Sequence, residues 1–436
     1  MNGPAVQGRG CVDMKNCLRP QLLVAAAALA APHRSRALAL LLACLAALAA
    51  LVPSRALSQD GSGGTTTVDV YRSPVVASSR VTGLAGAYTG IAEGSQGAAF
   101  NPASFANRYP FSVDWFDYDW NLDWVLLAPG ADIDFDNDGR ASSAAEKFNA
   151  VNVAAGLQLG RFGMGIMIDI NNIQLEGQDG KTSFSANYGY LGFAYAFWRE
   201  QLLAGLGFST SSMLLSDTAV DESVKWETPG LDVGLLFRPL GSNWRVGASF
   251  RRHVLVAPAK DQEAPDGLDP PDRLSVPWRL SVGASWFSNK SGYPYNTERD
   301  SRERDLEMME RSKLLETLDR RYILVALDVR VCGAAPDGSR SMAAFLSSVD
   351  PVESGQSVSV SVHAGAEAEV MSNRLVVRAG AYYEPPRIQA ASPRGHGTGG
   401  ADVRVGELLW WQWKLGLTLD LAPDYYNSIL SLGFWH

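Results

Sequence analysis

From Ser275 to Trp286 the chain alternates without interruption. Val276, Trp278, Leu280, Val282, Ala284 and Trp286 share one face, and Pro277, Arg279, Ser281, Gly283 and Ser285 share the other. A period of two residues specifies a β-strand, because successive side chains point to opposite sides of the pleat. Length is the stronger constraint: a run of about 11 residues is twice the usual soluble strand and matches what a tilted strand needs to cross a bilayer.

The pattern recurs along most of the chain. In 162–171, Phe162, Met164, Ile166, Ile168 and Ile170 alternate with Gly163, Gly165, Met167, Asp169 and Asn171; in 243–256, Trp244, Val246, Ala248 and Phe250 oppose Arg245, Gly247, Ser249 and Arg251. The runs 323–331, 358–367 and 409–420 read alike, and noisier ones lie near 109–127, 148–159, 183–197, 201–213, 229–238, 374–384 and 424–436. One face is greasy, while the other carries glycine, hydroxyls and charge. Alternation alone does not say which face points inward, since a soluble sandwich or propeller buries its apolar face and a membrane barrel shows it to lipid. Strand length and simple sequential order favour the barrel.

The N-terminus sets the compartment. Residues 37–52 are almost wholly Ala and Leu, with Arg34 and Arg36 before them and Ala56-Leu57-Ser58 after, the three parts of a secretory leader. Cleavage is expected near Ser58. A second Ala-rich run at 22–31 and the internal pair Met14-Lys15 suggest a start upstream of the true one. Leu41-Leu42-Ala43-Cys44 resembles a lipoprotein box, but its cysteine sits inside the apolar run, so lipidation is not expected. Of the four cysteines only Cys332 lies beyond the leader, which excludes an internal disulfide in the remainder. Residues 1–58 hold six Lys or Arg and one acid; the rest, with 32 basic and 45 acidic residues, carries −13. Such acidity argues against nucleic acid as a partner.

Short connections such as Gly160-Arg161, 198–201, 239–242, 371–373 and 422–424 alternate with long polar ones at 128–147, 214–228, 257–274, 332–356 and 385–406. Short turns at one end and long loops at the other are the habit of membrane barrels, as are the tryptophans near strand ends, Trp115, Trp124, Trp198, Trp226, Trp244, Trp278 and Trp286. The runs above number 13, whereas bacterial barrels have an even count, so 14 is expected. The segment 289–318, long but on the short-turn side, suggests that a strand is missed or merged nearby. Within 299–320 charge is dense and Leu306, Met309, Leu314, Leu315 and Leu318 recur at helical spacing, which predicts an exposed helical insertion.

Between leader and first strand, residues 83–106 are small, glycine-rich and without period two. Glycines permit positive φ and close backbone approach, so this stretch reads as a compact plug packed in tight space. Gly83, Gly86, Ala87, Tyr88, Ala92 and the triplet Asn101-Pro102-Ala103, followed directly by a strand, make the segment resemble the N-terminal region of the outer membrane long-chain fatty acid transporter family. It is similar also to the related accessory barrels of gliding and secretion systems. The resemblance implies a hatch inside a 14-stranded barrel and hydrophobic substrates passing through a kink in the wall. It carries over the hatch and its Asn-Pro-Ala motif, and no ligand-contacting residue.

Other chemistry is sparse. Asp134-Phe-Asp136-Asn-Asp138-Gly139 satisfies the opening of a calcium loop, in which acidic oxygens converge and glycine makes the turn. Its twelfth position is Ala145, with the acid one later at Glu146, so a plain acidic surface loop is the competing reading. Gly395-His-Gly-Thr-Gly-Gly400 matches GxGxxG without a strand and helix to frame it, and reads as a flexible loop. Arg245, Arg279, Asp328, Arg330, Glu367 and Lys414, with Arg251, His363 and Arg378 near them, fall on the expected lumen face, as ion pairs or as a substrate path. No nucleophile elbow or HExxH occurs and five histidines are scattered, so no enzyme is expected.

The expectation is therefore an all-β protein: residues 1–58 a leader, 59–108 a hatch and 109–436 a transmembrane antiparallel barrel of about 14 strands. It would sit in the outer membrane of a Gram-negative bacterium, among its lipids, and transport hydrophobic small molecules such as fatty acids without a cofactor. The alternative is a structural or secretion-system accessory barrel that binds protein partners through its loops.

Overall fold

The computed structural model describes residues 66–436 apart from 72–74, 76, 113–114, 127–133, 135–136, 138–148, 177–180, 218–221, 259–270, 299–317, 342–352, 389–390, 410 and 436. The leader, most of the expected helical insertion, and Asp136 and Asp138 lie outside the described residues.

In chain order the strands are β1 (Thr67–Asp69), β2 (Phe116–Leu126), β3 (Asn149–Leu159), β4 (Phe162–Glu176), β5 (Lys181–Phe197), β6 (Leu202–Asp217), β7 (Glu222–Phe237), β8 (Trp244–Arg251), β9 (Val254–Val256), β10 (Arg273–Val276), β11 (Arg279–Asn289), β12 (Tyr322–Cys332), β13 (Arg340–Ser341), β14 (Ser359–Met371), β15 (Leu375–Glu384), β16 (Arg394–Leu408), β17 (Trp411–Ala422) and β18 (Tyr425–Phe434). All but β1, β9, β10 and β13 close into one 14-stranded barrel, each strand antiparallel to its neighbours. Closure is made by β18 on β2, with pairs running from Ser428 and Leu126 to Gly433 and Asn121.

The faces settle the solvent. Ile166, Ile168 and Ile170 on β4, Val325, Leu327 and Val329 on β12, and Leu415, Leu417 and Leu419 on β17 point outward, each 39% to 53% exposed. Asp328, Glu367, Thr418 and Asp420 point inward and are buried. A soluble protein would reverse this; a ring of strands with an apolar outside and a polar inside is the outer-membrane architecture. Among the described residues no helix is long and apolar enough to cross a membrane.

Two expected strands are broken. The run 275–286 divides at Pro277: β10 ends at Val276 outside the barrel, and the wall resumes at Arg279. Proline has no N–H to give to a ladder, so alternation continues through it in sequence while pairing does not. The run 243–256 divides likewise, into β8 in the wall and β9 outside it. The missing strand is β16 rather than anything near 289–318. Its lipid face is Gly395, Gly397, Gly399, Ala401 and Val403, too small at one end to register as an apolar alternation, and the GxGxxG loop is therefore a wall strand.

At the long-loop end, the four short strands form a sheet ordered β13-β1-β10-β9, with β1 parallel to both of its neighbours. Val68, Val256 and Leu274 from this cap pack on Met213, Val224 and Trp226 of the tall strands β6 and β7. Trp226, expected in an interfacial girdle, is turned inward and buried. The segment expected as a single hatch thus divides, Thr67–Asp69 joining the cap and residues from Val75 to Arg108 filling the lumen.

Candidate functional site

The lumen plug is built from helix α1 (Ser79–Gly83) and two 3-10 turns, Ser95–Gly97 and Pro102–Ala106. Ser78 caps α1 by accepting from the Val81 amide. The Asn-Pro-Ala triplet has a local explanation of the same kind. Asn101 stands at the N-cap of the second turn, its Oδ1 accepting from Ala103 N at 3.1 Å, and Pro102 occupies the first turn, where a missing N–H is harmless. The Asn101 amide nitrogen then donates to Thr89 O (3.1 Å) inside the hatch and to Leu235 O (2.9 Å) on β7, joining plug to wall.

Wall glycines make room for this. A Cβ at Gly163 would overlap the Phe105 carbonyl, one at Gly205 the Pro102–Ala103 peptide, and one at Gly247 the Thr89 carbonyl. Cross-strand pairing lines glycines up in a belt, Gly156 with Gly165, Gly165 with Gly192, Gly192 with Gly207, and Gly247 with Gly283. Phe105 lies over Gly165 and Gly192 and stacks on Tyr190 at 6.4 Å.

On the opposite side the contacts are ionic. Arg80 of α1 donates to both oxygens of Glu367 on β14, at 2.7 and 2.8 Å, and pairs with Glu93 at 3.0 Å. Glu93 reaches Arg245 on β8 at 2.6 Å, while Glu367 also accepts from Arg378 (2.6 Å), which pairs with Asp402, itself bound by Lys414 at 2.9 Å. Burial lowers the pKa of the Arg80 guanidinium, but Glu367, Tyr88 and Glu93 outweigh it and hold the pKa well above its ordinary value. Burial pushes the Tyr88 phenol up, so it remains a donor, to Glu93 O at 3.1 Å.

All six lumen candidates face inward, and five of them hold the plug. Glu367 and Arg245 do so as above; Asp328 accepts from the Tyr88 and Thr89 amides at 3.0 and 2.7 Å, Arg279 donates to Ala99 O at 2.7 Å, and Arg330 donates to Gly86 O. Lys414, among the described residues, pairs within the wall, on Asp402. Gly83 and Gly86 are both buried, Gly86 at φ 77° against the Arg330 guanidinium. Of the calcium triad only Asp134 is described, buried with its carboxylate 3.9 Å from Arg394. Arg80 and Glu93 were not singled out from the sequence, although Glu93 is the sole charge in residues 83–106, and a lone acid in a glycine-rich plug is itself a signal.

The plug divides the lumen. On the long-loop side lies a chamber with about 870 Å³ of open space, part of it continuous with solvent, into which Arg279, Arg330, Phe100, Met167, His363 and Tyr382 project. On the short-turn side a second space of about 560 Å³ lies between Arg80, Glu93, Phe111, Tyr295 and Trp435.

No family model matches the chain, and no curated protein matches it in sequence. Among solved structures it is similar to the CymD monoaromatic hydrocarbon channel, at 14% identity and a TM-score of 0.47 over 82% of this chain and 96% of that one. A Pseudomonas aeruginosa FadL homologue (12%, TM-score 0.46, 82% and 97% covered) and the Pseudomonas putida toluene transporter TodX (12%, 0.46, 82% and 98%) are similar to it to the same degree.

Proposed function

We propose that this protein is a Gram-negative outer membrane channel for hydrophobic small molecules, with the plug from Val75 to Arg108 as its gate. The observation that supports the reading is a lumen occupied by a separate piece of chain, which is held to the wall by side-chain contacts and by close packing over wall glycines.

The chamber supports a substrate with one anionic end and an apolar body. Among the described residues, Arg279 and Arg330 form no ion pair with a carboxylate, and both guanidiniums lie over the Phe100 ring, at 6.0 and 4.7 Å. Val75, Ala77, Met167 and Tyr382 line the same space. A cation in the lumen without a carboxylate partner favours an anion that enters, and the apolar lining favours its tail.

The test is binding and uptake together. Purified protein in detergent should bind a fluorescent fatty acid, and Arg279→Ala with Arg330→Ala should weaken the acid at least tenfold while a neutral aromatic hydrocarbon binds as before. Cells lacking the protein should take up both more slowly. No binding by folded protein, with uptake unchanged on deletion, would sink the reading.

A further inference from the structure

We propose that the chamber also performs chemistry: Ser361 and His363 form a nucleophile and base that hydrolyse carboxylic esters small enough to enter from the long-loop mouth. The two residues are neighbours on the lumen face of β14, and both line the chamber. Ser361 Oγ and His363 Nε2 are 2.8 Å apart, and His363 Nδ1 is 2.7 Å from the Ala85 carbonyl oxygen. A carbonyl can only accept, so Nδ1 carries the proton and Nε2 is left with its lone pair toward the hydroxyl, the tautomer that a general base requires.

Three further features fit a working pair better than a hydrogen bond within a polar lumen. The carbonyl that orients the imidazole belongs to Ala85, a buried hatch residue at φ 55°, in the left-handed region that a residue with a Cβ seldom occupies. The ring is held from its face by Tyr382, stacked at 5.3 Å and 14°. Arg330, on the neighbouring strand, is the cross-strand partner of Ser361, and its buried Nε has no hydrogen-bond partner among the described residues.

The reaction balances with water as the second substrate. Ser361 Oγ bonds to the ester carbonyl carbon as its proton passes to His363 Nε2, and the carbonyl electron pair moves to oxygen. Collapse breaks the bond to the alcohol oxygen, which leaves with the proton from Nε2. Water then gives a proton to Nε2 and attacks the acyl-serine, releasing the carboxylic acid and restoring the hydroxyl. The sum is ester plus water to acid plus alcohol, with no redox change. Ala85 is a positioning residue, which ties the activity to a seated hatch.

The full-length protein in detergent should hydrolyse p-nitrophenyl butyrate, and Ser361→Ala and His363→Asn should each lower the rate by about 100-fold or more, while heat-modifiable migration shows the barrel intact. A fluorophosphonate probe on the wild-type protein should label the Ser361 peptide, read by mass spectrometry, which needs no variant to fold. Hydrolysis equal in wild type and Ser361→Ala, or a probe that labels other peptides or none, would reduce the pair to a lumen hydrogen bond. Uptake of a free fatty acid by the wild-type protein does not involve this step, so it tests the channel reading separately from the hydrolysis.

Discussion

On the side of β4 to β7 the plug meets the wall over glycines; on the side of β8, β12 and β14 it also meets the wall through charges. The difference concerns what happens when the plug moves. Contact over the glycine belt is short in range and strands no charge when it parts. The charged side is desolvated, and removing one partner leaves another uncompensated. The stranding is uneven, because Glu367 would keep Arg378 if Arg80 left, whereas Arg245 would lose Glu93. We expect the plug to seat by shape on one side and to latch by charge on the other.

The contrast breaks most readily at the belt. Gly163→Val puts branched atoms where the Phe105 carbonyl lies, so the plug should fail to seat: planar-bilayer recordings should show an open pore, with heat-modifiable migration retained. A closed pore in the folded variant would mean that the wall, not the plug, gives way. The latch comes next. Arg80→Ala leaves Glu93 with Arg245 and Glu367 with Arg378 but removes the cation they share, and losing one member of a buried network costs about 3–5 kcal/mol. Proteolysis of the plug from the short-turn side should rise, and frequent openings should replace a closed trace.

Lys414→Met sharpens the comparison from within the wall. Asp402 keeps Arg378, and the plug loses nothing directly, so conductance should match the wild type with a smaller loss of stability, about 1–2 kcal/mol by denaturant titration of the barrel. Smallest of all is Gly395→Val, on the lipid face, where an added Cβ meets nothing within 4 Å. Stability should shift by no more than about 0.5 kcal/mol. Equal damage from Gly395→Val and Gly163→Val would refute the idea that only inward glycines admit the plug.

Legibility in the sequence followed the same divide. Strands with bulky outward residues, such as Ile166 to Ile170, were readable from period two, since lipid selects large apolar side chains on that face. β16 was not, because its outward glycines carry no hydrophobic signal and its inward Arg394, His396 and Asp402 read as loop polarity. Pro277 erred the other way, preserving alternation across a true break. The Asn101-Pro102-Ala103 triplet was legible because capping is local chemistry. The partners of Arg80 were not: Glu367 lies 287 residues away, and nothing near Arg80 in sequence announces it.

Sequence by itself determined the β-barrel class and marked a glycine-rich stretch before it, because periodicity, composition and capping act over a few residues at a time. Only the tertiary structure decided that β16 is the fourteenth strand, the cap made by β1, and which inward charges hold the plug rather than one another. Those depend on closing the ring, which brings β18 onto β2 and sets the two ends of the chain around one lumen.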